Sequence, residues 1–222
     1  MKVLVISAHP DDETLGCGGT LLKHKKEGDS LHWIIATSPH TPTWSEEIVT
    51  SKTLEIEAVS EAYGMETIHK LGFPAVKLDT IPLDDIIKAI GSPTSQIKPE
   101  IIYLIHGGDV HSDHRITFEA TMSAVKSFNM GRSGVRRLLS FETISSTETG
   151  FQPSTSVFIP NVFVDISAYI TNKLEIMELY KTEMQDDPLP RGLSAIRALA
   201  RYRGASIGVK YAEAFMLIRE II

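Results

Sequence analysis

A single cysteine in 222 residues, Cys17, excludes an internal disulfide and with it the disulfide-stapled secreted class. Set in Leu15-Gly16-Cys17-Gly18-Gly19, it reads as a buried structural thiol rather than a nucleophile. The chain has little positive charge: 22 Lys and Arg stand against 28 Asp and Glu, a net −6 with no basic stripe. Nucleic acid and anionic membrane surfaces are therefore excluded as partners. No apolar run approaches the roughly 20 residues of a membrane span. The N-terminal run is broken by acids after a few residues and is no signal peptide, which gives a cytoplasmic expectation. There is no Gly-Lys-Ser/Thr loop, and Gly16, Gly18 and Gly19 are spaced Gly-x-Gly-Gly rather than Gly-x-Gly-x-x-Gly. Both P-loop and dinucleotide readings fall, and these glycines read as close helix-to-sheet packing. Internal repeats and low-complexity tracts are absent as well.

What remains is globular material, 42% hydrophobic and 23% charged, long enough to bury a full core. A single domain over residues 1–222 is expected, and its oligomeric state is left open. Apolar runs and turn signals alternate along the first two-thirds. Strands are predicted over Lys2–Ser7, Ser30–Thr37, Thr67–Leu71 and Ile101–Ile105. Helices are predicted over Thr14–Glu27, Ser45–Tyr63, Leu83–Ile90 and Arg115–Ser127. The alternation implies an α/β, Rossmann-like fold with a mostly parallel sheet and helices on both faces. In the last third, Leu138–Glu142, Ser156–Ile166 and Ala212–Ile218 read as strands. Ser167–Met184, with Ser167 as N-cap, and Leu193–Tyr202 read as helices around a Gln185–Pro190 breaker.

Two clusters carry chemistry, each following an apolar strand. Ala8-His9-Pro10-Asp11-Asp12-Glu13 follows the first, and His106-Gly107-Gly108-Asp109-Val110-His111-Ser112-Asp113-His114 follows the strand at 101–105. Three adjacent acids raise one another's pKa unless a cation neutralises them, and imidazole is a good partner ligand for a divalent metal. His9, Asp12 and His114 as ligands would leave a divalent ion with open positions, the mark of a catalytic site. Zinc in such a set lowers the pKa of water to about 7. Asp11, projecting differently from its neighbour, is left as general base. His111 is the proton donor or oxyanion stabiliser, with Asp113 orienting it. Against this stands a bland reading in which the acids merely favour a helix N-terminus, a role that suits Glu13 best. His24, His32, His40, His69 and His106 read as structural or surface residues.

The two clusters resemble the hallmarks of the LmbE-like, or PIG-L, family of metal-dependent N-deacetylases: Ala/Pro-His-Pro-Asp-Asp-Glu after the first strand and His-x-Asp-His after a later one. Thr14–Thr20 and Tyr211–Phe215 are similar to its first helix and terminal strand. The resemblance implies a Rossmann-like sheet, zinc, and removal of acetyl from an N-acetylglucosamine-type amino sugar, linked to a nucleotide, lipid or other aglycone. It implies the same roles for His9, Asp12 and His114 as ligands, Asp11 as base, and His111 with Asp113. Lys52 and Glu55 stand where many members have Arg-x-x-Glu, and Thr37-Ser38-Pro39-His40 stands where they often have Thr-x-Gly-Glu, so these positions and the loop Ser38–Trp44 bear on substrate choice. Two other classes share parts of the pattern. A two-His-one-carboxylate Fe(II) oxygenase needs the same ligand types, because Fe(II) or another divalent transition metal fits them, but the alternating βα pattern is not an all-β jelly roll. A silent metal- and sugar-binding module would need neither Asp11 nor His111.

Overall fold

A computed structural model describes residues 1–126, 128, 134–149 and 157–222. Its strands are β1 (Lys2–Ser7), β2 (Ser30–Ser38), β3 (Met65–Pro74), β4 (Ile101–Ile105), β5 (Arg137–Phe141), β6 (Val162–Asp165) and β7 (Ala212–Glu220). Its α-helices are α1 (Asp12–Glu27), α2 (Glu46–Tyr63), α3 (Leu83–Ile97), α4 (Ser112–Ala124), α5 (Ile170–Met177) and α6 (Leu193–Ala205). The seven strands form one sheet in the order β3-β2-β1-β4-β5-β7-β6. Strands β1 to β5 are parallel, and β7 and β6 close the sheet antiparallel. This is the Rossmann-like α/β fold. The strand order reverses between β1 and β4, so their carboxyl ends open onto the crevice where such sheets bind ligands.

Each strand distributes its side chains alternately to two cores. Val3 and Val5 of β1, with Leu31, Trp33 and Ile35 of β2, pack against α1, α2, α5 and α6. Leu4 and Ile6, with Ile34 and Ala36, pack against α3 and α4. Cys17 is fully buried in the first of these cores. Helix α1 is broken there, with φ −141° and ψ 18° at Cys17. A Cβ on Gly16 would collide with the Phe141 ring, so the absence of a side chain lets this half of the helix rest directly on β5.

The buried pair Lys173 and Glu213 repairs the break. Lys173 Nζ donates to the Leu15 carbonyl and to Glu213, while Glu213 accepts from the N–H groups of Gly19 and Thr20 and from the Thr20 hydroxyl. A carboxylate therefore caps the positive start of the second half-helix.

Several element limits differ from the sequence pattern. Helix α3 runs past Ile90 to Ile97, through Pro93, because Ile86, Ile90, Thr94 and Ile97 continue one buried stripe and the Thr94 hydroxyl donates to the Ile90 carbonyl. Helices α1 and α4 begin at Asp12 and Ser112, so Asp12, Asp113 and His114 lie in first turns. The predicted helix over 167–184 is only α5. Ser167 binds back to Asp165 instead of capping a helix, and successive turns after Met177 fold Tyr180 into the core. The predicted limits Ser127 and Ser156 lie outside the described residues.

Candidate metal centre and active site

The first cluster leaves β1 into the first turn of α1. Asp11 has φ 138° and ψ −29°, a left-handed conformation that costs a non-glycine residue about 1–3 kcal/mol. Buried Glu13 holds it: its carboxylate accepts from the Asp11 N–H at 3.2 Å, from the Thr14 hydroxyl at 2.6 Å and from the Tyr180 hydroxyl at 2.7 Å. The turn gives adjacent aspartates different surroundings. Asp12 Oδ2 accepts from the N–H groups of Ala8 and His9 at 3.0 and 2.8 Å, while its Oδ1 lies 3.4 Å from His114 Nε2. Asp11 Oδ2 instead faces Arg191 Nη1 at 3.4 Å.

Each metal-type histidine is anchored by its own carboxylate. His9 Nε2 lies 3.0 Å from Asp113 Oδ2, and His114 Nδ1 lies 3.1 Å from Asp109 Oδ2. Burial places both imidazoles below their usual pKa and outweighs the hydrogen bonds with Asp113 and Asp109, which act upward, so each ring is neutral at pH 7 and donates its single N–H to its carboxylate. The two remaining nitrogens, His9 Nδ1 and His114 Nε2, then carry only lone pairs, yet they sit 3.2 Å apart. A proton between them would cost one ring its anchoring hydrogen bond. A cation satisfies both, and Asp12 Oδ1 besides.

Ligand atoms about 2.0–2.2 Å from a tetrahedral zinc lie about 3.3–3.6 Å from each other. The observed 3.2 and 3.4 Å separations fit that set. The local charge agrees. Burial is the largest cause in pushing the carboxyls of Asp11, Asp12 and Glu13 upward; neighbouring acids add to it at Asp11, which reaches about 8, and at Asp12, while at Glu13 the hydrogen bonds from Thr14 and Tyr180 act against it. A divalent cation supplies the counter-charge they lack.

His111, the N-cap of α4, accepts the Asp113 N–H on Nδ1 at 3.2 Å. Its ring proton is thereby assigned to Nε2, which makes it an N–H donor at the cavity wall. Its ring lies 4.5 Å from that of His9 and 4.8 Å from that of His114, so the three imidazoles form one cluster. The Asp113 side chain, expected on His111, instead binds His9 and accepts from the N–H groups of Val76 and Leu78 at 2.6 and 3.2 Å. Only the backbone of Asp113 meets His111, because the helical turn sends its carboxylate back across the β1–β4 crevice.

Asp109 was not singled out in the sequence. It accepts from the His111 N–H and from the hydroxyls of Ser146 and Thr147, each at 2.8 Å. Although burial alone would raise its pKa, the hydrogen bond from His114 and these others hold it below the usual carboxylate value. The available signal was an aspartate five residues before a metal-type histidine at a strand end. Glu183 and Arg191, between α5 and α6, were missed too. Glu183 pairs with Lys52 at 2.7 Å and with Arg191, and Glu55 accepts from the Thr182 N–H and hydroxyl.

One cavity of about 480 Å³ is lined by His9, Asp11, Asp12, His111 and His114, with Thr182 and Glu183. Trp44 from the β2–α2 loop, Lys52 from α2, and Arg191 also line it. His24 bonds Asp29 and Tyr103, away from the cavity, consistent with a structural role. No helix among the described residues is long and apolar enough to cross a membrane.

Residues 4–125 match the family model described as PIG-L, GlcNAc-PI de-N-acetylase. A diacetylchitobiose deacetylase of Thermococcus kodakarensis is 29% identical over 231 residues, covering 98% of this chain and 83% of the relative. Among solved structures, the conserved protein TT1542 of Thermus thermophilus superposes with a TM-score of 0.79 at 27% identity, covering 99% of this chain and 96% of that one. The zinc-inhibited form of teicoplanin deacetylase Orf2 shares the fold at 16% identity, with a TM-score of 0.75 and 99% of each chain covered.

Proposed function

Because this chain belongs to the PIG-L, GlcNAc-PI de-N-acetylase, family, we propose that it is a metal-dependent hydrolase that removes the acetyl group from an N-acetylated amino sugar, with residues 1–222 working as one domain. The observation that carries this reading is the pair of bare imidazole nitrogens 3.2 Å apart, each on a ring anchored by its own carboxylate. His9, Asp12 and His114 would hold the ion. Zinc suits this ligand set, as does Fe(II) or another divalent transition metal. When bound, such an ion polarises a carbonyl and, in the case of zinc, brings the pKa of water to about 7.

The protein's own groups account for the proton traffic. Asp11 takes a proton from the attacking water as its oxygen adds to the acetamide carbonyl carbon. Without a cation, burial and then Glu183 raise this carboxyl to about 8; a divalent ion beside it would lower that value, leaving the group ionised to take the proton and basic enough to hold it. His111, with Nδ1 committed to the Asp113 N–H, turns a donor on Nε2 toward the carbonyl oxygen as negative charge develops there. Collapse breaks the C–N bond. The nitrogen leaves with the proton carried by Asp11, giving acetate and the free amine.

The test is acetate release by the zinc-loaded protein from a panel of N-acetyl sugars, free and linked to nucleotide, thiol-precursor and lipid carriers. Wild type is expected to release acetate from at least one of them. His114→Ala is expected to lose both the metal, by elemental analysis, and the activity. Undiminished metal in that variant would place the ion elsewhere. Metal-loaded wild type that released no acetate from any of them would overturn the deacetylase reading.

A further inference from the structure

Given an N-acetylated amino sugar in the cavity, a step that rests on the reading above, we infer that Ser145 is a specificity-determining residue whose side-chain hydroxyl hydrogen-bonds a ring hydroxyl of that sugar.

The first support is the state of the hydroxyls on the cavity wall, which belong to Thr37, Thr143, Ser145, Ser146 and Thr182. Three have committed their proton: Thr37 donates to the Ala8 carbonyl, Ser146 to Asp109 and Thr182 to Glu55, each at 2.8 Å. Thr143 Oγ1 is buried, with no surface from which a ligand could reach it. Ser145 differs from all four. It is half-buried at the wall, and among the described residues its side-chain oxygen has no hydrogen-bond partner. Such a hydroxyl can donate one hydrogen bond and accept two, so it can pair with a sugar hydroxyl in either sense.

The second support is the backbone. Ser145 has φ 91°, in the left-handed region that costs a non-glycine residue about 1–3 kcal/mol. The described non-glycine residues held there are Asp11, Val76, Lys98 and Ser145, and all but Lys98, the C-cap of α3, line the cavity. Two of these three already have a use. Asp11 is the proposed base, and Val76 turns its N–H onto Asp113, which anchors His9. At Ser145 the main chain makes only local bonds, its N–H donating to Glu148 at 2.7 Å and its carbonyl accepting from the Thr149 hydroxyl at 2.9 Å. What the conformation delivers to the cavity is the side chain.

The third support is rigidity. Asp109, which anchors His114, accepts from the hydroxyls of Ser146 and Thr147, and the Thr143 N–H donates to Thr147 Oγ1 at 2.9 Å. The turn that carries Ser145 is therefore fixed to the same carboxylate that orients a proposed metal ligand. A hydroxyl held in this way is positioned relative to the reacting acetamide, and a site built to receive a substrate hydroxyl rejects the analogue that lacks it.

The experiment measures turnover and binding separately. Acetate release from N-acetylglucosamine and its 3-, 4- and 6-deoxy analogues is followed with wild type, Ser145→Ala and Ser145→Gly. Calorimetry on zinc-loaded Asp11→Asn protein, with and without Ser145→Ala, gives the affinities of the same four. Ser145→Ala should raise KM for N-acetylglucosamine about 10-fold and leave kcat within about 2-fold, with bound metal undiminished. One deoxy analogue should already be about 10-fold weaker on wild type and lose nothing further in Ser145→Ala, which identifies the ring hydroxyl, while the other two lose as much as the parent sugar. Ser145→Gly should lose the same affinity yet unfold at a higher temperature, because glycine adopts this φ freely. A serine kept only for its turn would give that rise in Tm with no change in KM. Unchanged KM in both variants, equal penalties from Ser145→Ala on all three analogues, or failure of wild type to bind any of the four overturns the inference. Coupling seen by calorimetry without acetate release from any sugar would leave the contact standing and remove the deacetylase reading instead.

Discussion

Residues 8–13 hold two adjacent aspartates, Asp11 and Asp12, that lack a matching counter-charge, whereas the acids of the last third are matched to cations, backbone N–H groups and hydroxyls. Asp12 keeps an oxygen 3.4 Å from His114, and Asp11 is opposed by a single guanidinium contact at 3.4 Å. Glu213, by contrast, engages Lys173, two N–H groups and a hydroxyl. Glu183 joins Lys52 to Arg191. Acids of the first kind hold a site under electrostatic stress that a cation relieves, and acids of the second kind hold the scaffold and shape what enters. The two should respond differently to neutralisation: the first through activity, the second through stability or selectivity.

The sharpest way to break this contrast is Asp11→Asn. The amide keeps the shape and lies outside the proposed ligand set, so bound metal should stay at one equivalent by elemental analysis. Turnover should fall roughly 100- to 10,000-fold, the usual worth of a positioned general base. Thermal stability should not fall, because the change removes a buried carboxyl already pushed up to about 8 by burial and by Glu183. A variant that lost its metal would show that both aspartates share the ion.

Glu213→Ala tests the other side. It strands the Lys173 ammonium in the core and uncaps the second half of α1, and removing one partner of a buried pair costs about 3–5 kcal/mol. Urea unfolding should register that loss, while the residual folded fraction should bind metal normally. The double variant Lys173→Met/Glu213→Gln should fall much closer to wild type, since it leaves no unpaired charge and retains one acceptor for the Gly19 and Thr20 N–H groups. If Glu213→Ala unfolded no more readily than wild type, the pair would not be what holds the two halves of α1 together.

These cases also show what could be read along the chain and what could not. The βα alternation, the buried Cys17 and both strand-end clusters are local patterns, and local patterns are visible in one dimension. Helix α3 was cut short because Gly91-Ser92-Pro93 carries strong stop signals, and burial of Ile97 and Thr94 outweighs them. Asp113 was assigned to His111 two residues away, yet its carboxylate binds His9, 104 positions distant in sequence. Nothing in spacing encodes that crossing. Glu183 and Arg191 sit beside a Pro-containing segment whose composition signals only a break, and their meaning depends on Lys52 of a distant helix.

The smallest expected effect is also the most discriminating, because it compares the two anchoring carboxylates with each other. Asp109 and Asp113 occupy equivalent positions behind His114 and His9, and loss of such a partner costs about 10- to 100-fold in metal affinity or activity. They are not equally supported. Asp109 also accepts from the hydroxyls of Ser146 and Thr147 and from the His111 N–H, so Asp109→Asn disturbs a lining loop and the proposed proton donor along with the ligand. Asp113 ties His9 to the N–H groups of Val76 and Leu78, on the apolar side of the opening. Both variants should bind zinc about 10- to 100-fold more weakly in a chelator competition. At saturating zinc, however, Asp113→Asn should recover most of the turnover on the preferred sugar, and Asp109→Asn should retain a deficit because His111 is no longer held. Equal recovery would mean that the His111 N–H bond to Asp109 contributes nothing to proton transfer, and that the two carboxylates differ only in the histidine they orient.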